Sequence, residues 1–339
     1  MIAEVWEALR QDSSRDSGVV MRRIAAESPI AVFAGMHKPR NAPMLVVHGV
    51  PNHPLLLQLL HSEPSGFSIC AGSSSPQPSD VQEVALELLE VAGEPVFLAL
   101  VDYVVARLEA APDADAAAVS FMKAITLWQS FFRLHGFSGL SRECQQGLFG
   151  ELEFLRTRVA EAGSTETAVK SWAGPAGSNQ DFQWGGHAFE VKTTVSNPLT
   201  AIRVSNLRQL DDECVDSLHL VVIEAERHEN DPRTLPAAVE AVRALISATA
   251  PQAALEFSDR LVEYGYLDQH SSRYLDVGYG VRAIRYFEVR DDFPRLVEAG
   301  VPVGVGDVRY SLALSALSAF EVDPQAMSEQ MGAWFGDLG

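Results

Sequence analysis

The stretch from Ser178 to Val195, SNQDFQWGGHAFEVKTTV, limits what this chain can fold into more than any other. It alternates with period two on both sides of Gly185-Gly186, the pattern of two strands joined by a tight turn. With the glycines as the loop, Trp184 pairs with His187, Gln183 with Ala188, Phe182 with Phe189 and Asp181 with Glu190. Successive side chains point to opposite faces. One face then carries Phe182, Trp184, His187, Phe189 and Val191, and reads as core. The other carries Asp181, Gln183, Ala188, Glu190 and Lys192. Carboxylates opposite each other in a sheet lie only about 5 Å apart and repel. A divalent metal between them relieves that repulsion, and Lys192 adds a second positive group. The bland alternative is a charged face kept for solubility. The metal reading is preferred because all three groups fall on one side.

At 339 residues the chain is long enough for two or three domains and a sizeable core. Its 47% hydrophobic and 21% charged residues are ordinary for a soluble globular protein. No apolar run is long enough to span a bilayer, and the opening MIAEVWEALRQD reads as an amphipathic helix, not a signal peptide. Cys70, Cys144 and Cys214 are odd in number, far apart and without a CxxC. They point to a reducing, cytoplasmic setting and away from zinc. A net charge of −19 argues against a protein that coats nucleic acid non-specifically. The excess is not uniform: from Arg142 to Arg208, seven basic residues balance seven acidic ones. A local DNA contact is compatible with that, with a modest phosphate contribution to affinity.

Periodicity and breakers organise the rest. Residues 1–12 read as a helix, followed by short strands at Gly18–Ile24, Ile30–Ala34, Met44–His48 and Phe67–Cys70. SSSPQPS at Ser73–Ser79 reads as a long loop inside an α+β domain, with a domain linker as the alternative. His48 and His53 are close in sequence but have no third ligand at a recognisable spacing, so they read as surface or packing residues. Pro95–Leu108 and Ala114–His135 are helical, the second ending in the core-like aromatics Trp128, Phe131 and Phe132. Ser141 can cap a helix reaching Arg158 or beyond, with Leu148, Leu152, Leu155 and Val159 as its stripe and Glu151 on the flank. Ala168–Trp172 reads as a strand, Ser205 as the cap of a short helix, and LHLVVI at Leu218–Ile223 as a strand buried on both faces. Beyond it come helices at Leu235–Thr249 and Pro251–Tyr264, strands at Gly280–Val289 and Val308–Leu314, and a terminal helix at Pro324–Phe335. The glycine-rich Gly300–Gly306 lacks the GK[ST] of a phosphate loop. The resulting division is an N-terminal α+β domain over 1–112, a connecting helix over 113–138, a core over 139–225 and a C-terminal extension over 226–339.

Asp-x8-Glu-x-Lys on a hairpin resembles the PD-(D/E)XK nuclease superfamily. The resemblance sharpens with GLFGELEFL at Gly147–Leu155, W-x-GP at Trp172–Pro175, EVKTT at Glu190–Thr194 and IRVSNLRQL at Ile202–Leu210. With YFEVRDDFPRL at Tyr286–Leu296 and VRYSLAL at Val308–Leu314, these look like one bacterial family of PD-(D/E)XK motif proteins, domain of unknown function 4420. The likeness implies an α/β (overall α+β), restriction-endonuclease-like αβββαβ core. It also implies metal-dependent cleavage of DNA as an endonuclease. Genes of the family often stand beside modification and anti-phage defence genes, which implies a restriction role and other defence proteins as partners; a homo-oligomer stays open. Gln180 stands where the name-giving proline would be.

Asp181 and Glu190 are the expected ligands of Mg2+ or Mn2+. The resemblance adds the carbonyl of Val191 and a carboxylate from the preceding helix, for which Glu151 fits. Lys192 is expected to position the attacking water and stabilise phosphate charge, since two nearby acids keep it protonated. Gln209, Ser205, Arg203 and Arg208 are candidate phosphate contacts. The competing reading is a nuclease-fold subunit that no longer cuts and binds DNA or a partner protein.

Overall fold

Ile2, Trp6 and Leu9 recur at helical spacing, and helix α1 (Ile2–Gln11) buries all three. The computed structural model describes residues 2–14, 16–64, 66–72, 81–161, 164–195 and 200–336, so the loop expected at 73–79 lies outside the described residues. The chain forms two compact units, one of residues 1–139 with 267–269, the other of 140–266 with 270–339. Among the described residues no helix is long and apolar enough to cross a membrane.

The first unit continues with strands β1 (Gly18–Ile24), β2 (Val32–Lys38) and β3 (Ala42–Pro51), helix α2 (Pro54–His61), strands β4 (Phe67–Gly72) and β5 (Val81–Leu88), and helices α3 (Glu94–Glu109) and α4 (Ala114–His135). Its strands form one antiparallel sheet in the order β1-β2-β3-β5-β4. Asp113 starts α4 by accepting from the Ala116 N–H at 2.8 Å, a helix cap. Trp128, Phe131 and Phe132 are buried as expected, with Trp128 edge-on to Tyr103. The helix expected as a connector is thus an integral part of this unit. His53 caps α2 by accepting from the Leu55 N–H, and His48 lies 2.9 Å from Glu83.

The second unit begins with α5 (Arg142–Glu161), whose first turn Ser141 caps through the Cys144 N–H at 3.2 Å. Then come α6 (Thr165–Ser171), β6 (Phe182–Trp184), β7 (His187–Thr194), β8 (Ala201–Val204), β9 (Ser217–Glu229), α7 (Leu235–Thr249), α8 (Ala254–Tyr264), β10 (Val277–Val289), β11 (Tyr310–Ala313), β12 (Glu321–Val322) and α9 (Pro324–Gly336). The main sheet runs β12-β10-β9-β7-β6, with β7 and β9 parallel, and β8 pairs with β11 in a small second sheet. Leu218–Ile223 lies in β9 between β7 and β10 and is buried throughout. Helices cover one face of the sheet around Phe182, Phe189, Val191, Val221 and Ile223. The other face, with Ala188, Leu220 and Val222, packs on residues of β8, β11 and their flanking turns. Strand β10, from the expected extension, sits inside this sheet.

Two local expectations are corrected. Ala168–Trp172 is not a strand: α6 ends there, and only Trp172 bridges to Phe182. Ser164 caps α6 through the Thr167 N–H, and Glu166 pairs with Lys170 one turn on. Thr165, Ala168, Val169 and Trp172 are buried at i, i+3, i+4 and i+7, the period of a helix. The αβββαβ order therefore has a helix and a single bridge where its first strand was expected. Ser205 is not a helix cap either. Asn206 accepts from the N–H groups of Arg208 and Gln209 and caps a 3-10 turn at Leu207–Leu210, while the Ser205 N–H bonds Gln209 Oε1 at 2.8 Å. Asn197-Pro198, a turn signal in the sequence, lies outside the described residues.

Candidate active site

The hairpin forms in the expected register, with Phe182 opposite Phe189, Gln183 opposite Ala188 and Trp184 opposite His187. Both loop glycines have positive φ, 52° at Gly185 and 88° at Gly186, as a tight hairpin turn requires. Ladder pairing stops at Phe182. The Asp181 carbonyl instead accepts from the N–H groups of Ala173 and Gly174, each at 2.9 Å. Its carboxylate crosses to β7, where Oδ2 accepts from the Val191 N–H at 2.8 Å. N–H and C=O of one strand residue point to the same edge. The Val191 carbonyl therefore faces the edge that Asp181 occupies.

Glu190 is fully buried, and its Oε1 accepts from Lys192 Nζ at 2.6 Å. Its other oxygen, Oε2, is buried without a hydrogen-bond partner. Burial and the neighbouring Asp181 push the Glu190 pKa up to about 8, against the pull of Lys192. Asp181 is also raised by burial, opposed by Lys192 and the Val191 N–H. Burial works against the charge on Lys192, but Glu190 and Asp181 outweigh it and raise its pKa. The cluster therefore holds a proton that a bound cation would replace.

Glu151 joins from α5 and is 6% exposed. Trp172 Nε1 donates to its Oε2 at 2.7 Å, and the Tyr264 hydroxyl hydrogen-bonds the same carboxyl group. Its pKa stands well above the usual carboxylate range, through burial first, then Asp181 and Glu190. The glycines of GLFGELEFL explain how α5 comes so close. A Cβ at Gly150 would collide with Thr193 of β7, and one at Gly147 would lie 2.8 Å from the Tyr264 hydroxyl. W-x-GP has a similar role: a Cβ at Gly174 would lie 3.0 Å from both Cα and Oδ1 of Asp181. Gln146 completes the frame by donating to the Thr193 carbonyl at 2.6 Å. Within these motifs the spacing alone gives no role to Trp172, Gly174, Gly147 or Gly150, and Gln146 and Tyr264 lie outside them. Glycines inside a helix, which cost stability, were the available signal.

Asp181, Lys192, Glu151, Val191, Arg203, Ser205, Gln209 and Tyr264 all line one cleft of about 570 Å³. Glu190 lies buried beside it. Arg208 is elsewhere: it lines a neighbouring groove and is bound by Glu298 at 2.7 Å. Gln180, in the proline position, is a clamp. Its amide donates to the carbonyls of Arg208 (2.8 Å) and Asp211 (3.2 Å), tying the turn that carries Gln209 to the hairpin base.

Among the described residues no three His, Cys, Asp or Glu side chains are gathered as a ready metal cluster. A hard cation of the Mg2+ class does not need one, since it is held by one or two carboxylates and keeps several waters. The unpartnered oxygen of Glu190, the Asp181 carboxylate and the Val191 carbonyl form a donor set that fits. Glu151, engaged by Trp172 and Tyr264, lines the same cleft.

The family model described as "Putative PD-(D/E)XK family member, (DUF4420)" matches residues 2–315. Neither the curated proteins nor the solved structures give a match. With most of its length under one family model and the hairpin, helix and parallel β7–β9 pair in place, the chain belongs to this PD-(D/E)XK family.

Proposed function

We propose that this protein is a metal-dependent endonuclease that hydrolyses DNA phosphodiester bonds as the nuclease of a bacterial restriction or anti-phage system. One observation carries the reading. Glu190 is buried, keeps an oxygen without a partner and faces Asp181, with Lys192 bound beside it. A neutral hydrocarbon at position 190 would cost far less, so a charge-compensating ligand is the economical account of that carboxylate.

Asp181 and Glu190 would hold Mg2+ or Mn2+, with the Val191 carbonyl as a further oxygen. When bound, the ion supplies charge relief at the phosphate and an acidified water. Lys192, held protonated, orients the scissile phosphate and stabilises the charge that builds as water adds to phosphorus and the P–O ester bond breaks. Glu151 holds a water at the cleft wall. Arg203, Ser205 and Gln209 contact the flanking phosphates. The defence role rests on the company that genes of the family keep.

Supercoiled plasmid with Mn2+ or Mg2+ tests the proposal. The wild type nicks or linearises it, Asp181→Ala is inactive, and Lys192→Ala loses about 100-fold or more in rate while still binding Mn2+. Equal behaviour of all three proteins ends the catalytic reading. DNA binding without cleavage by the wild type would leave the non-cutting subunit. RNA of matched sequence, run alongside, decides the nucleic acid.

A further inference from the structure

Residues outside the hairpin segment complete the cleft, and one of them touches the third carboxylate. Tyr264 is the last residue of α8, directly before Gly265, whose left-handed φ of 101° ends the helix. Its ring reaches across to α5. Gly147 is where a Cβ would meet the hydroxyl, and Glu151 lies one turn further on the same helix. The hydroxyl donates to the Cys144 carbonyl at 3.4 Å and has the Glu151 carboxyl group as its other hydrogen-bond partner. Cys144, Gly147, Glu151, Asp181, Lys192 and Tyr264 line the same cleft.

Glu151 thus has a fixed donor in the Trp172 indole N–H and a second hydrogen-bond partner in the Tyr264 hydroxyl, whose proton the Cys144 carbonyl also accepts. The two partners come from different elements, so together they fix the plane of the carboxyl group. We infer that Tyr264 is a positioning residue, supplied by α8, that holds the Glu151 carboxyl group in the orientation from which it reaches a divalent cation through water. Gly147 is then kept small to admit the phenol. This rests on the nuclease reading and adds to it a contribution from beyond the hairpin region.

Groups that orient a metal's ligands from outside typically carry about 10- to 100-fold in metal affinity. Calorimetry with Mn2+ alone, on the full chain, compares wild type with Tyr264→Phe, Glu151→Gln and the double variant. Tyr264→Phe should lower Mn2+ affinity by about tenfold, and the double variant should bind no more weakly than Glu151→Gln alone. Plasmid cleavage should lose kcat with KM for DNA unchanged. Gly147→Ala is the second probe. Alanine favours a helix over glycine, so weakened Mn2+ binding in a well-folded Gly147→Ala protein reports displacement of the phenol. It also carries the test if Tyr264→Phe does not fold. Wild-type affinity in Tyr264→Phe, or full additivity with Glu151→Gln, overturns the assignment and leaves the nuclease reading standing. A wild type that binds no Mn2+ removes the nuclease reading, and this assignment with it.

Discussion

Glu190 is the residue at which burial and charge conflict most sharply. Its folded pKa is pushed up to about 8, while the unfolded chain releases that proton near the ordinary value of 4.5. Between those values the folded state binds more protons than the unfolded one. The contribution is therefore fully present below pH 4.5 and is lost as pH rises through 8. The slope from this group is at most about 1.4 kcal/mol per pH unit. In EDTA, urea denaturation should show wild-type stability falling from pH 5 to pH 8, and Glu190→Gln should flatten that fall. Equal slopes in the two proteins would refute the protonated buried carboxyl. A second consequence is that Mn2+ binding at pH 7 displaces the proton. Calorimetry in buffers of different ionisation enthalpy should read that release, and Glu190→Gln should abolish it. Lys192 needs no such exchange, because Glu190 and Asp181 beside it raise its pKa against the effect of burial.

At the scale of elements, three glycines and a tryptophan set the distance between α5, the hairpin and the turn that follows α6. Gly150→Ala pushes a methyl into Thr193 and should cost about 1–3 kcal/mol. Thr193→Ala should recover part of that loss, a non-additivity that urea denaturation of the four proteins of the cycle would measure. Trp172→Phe leaves Glu151 Oε2 without its indole donor and should cost about 1–3 kcal/mol. Gly174→Ala acts differently. Its methyl meets Asp181 itself, so Mn2+ affinity should fall more than stability does. The hairpin and β9 could be read from period-two alternation and an unbroken apolar run. Helix α6 could have been, since its buried residues follow a helical period, but seven residues next to a sheet edge suit either reading until the partner strand is known.

For the whole molecule, the governing quantity is a net charge of −19 that the hairpin region does not share. Among the described residues, Lys192 and Arg203 are the basic groups that line the cleft. Arg208 is held by Glu298 in the adjoining groove. Each phosphate contact contributes about 0.9 to the slope of log affinity against log salt. Arg203→Ala should therefore lower the slope of DNA binding by about 1, and Arg208→Ala should leave it unchanged, as read by fluorescence anisotropy across a salt series. The two-unit division also redraws the expected boundaries. Residues 114–135 belong to the first unit, and β10 lies in the same sheet as the hairpin.

The sequence by itself determined the hairpin, its register and the side of β7 on which Glu190 and Lys192 fall. Those follow from alternation and from two adjacent glycines, and strand geometry turns such local patterns directly into faces. It also marked Glu151, from its place on the flank of a helical stripe. Only the tertiary structure decided that Asp181 leaves the ladder to bind the Val191 N–H, that Gln180 clamps a distant turn, and that Trp172 and Tyr264 close on Glu151. The physical reason is range. Periodicity records which way a backbone points its side chains, whereas the energy of a buried charge depends on donors and charges brought in from remote parts of the chain, and their distances are fixed only when the core packs.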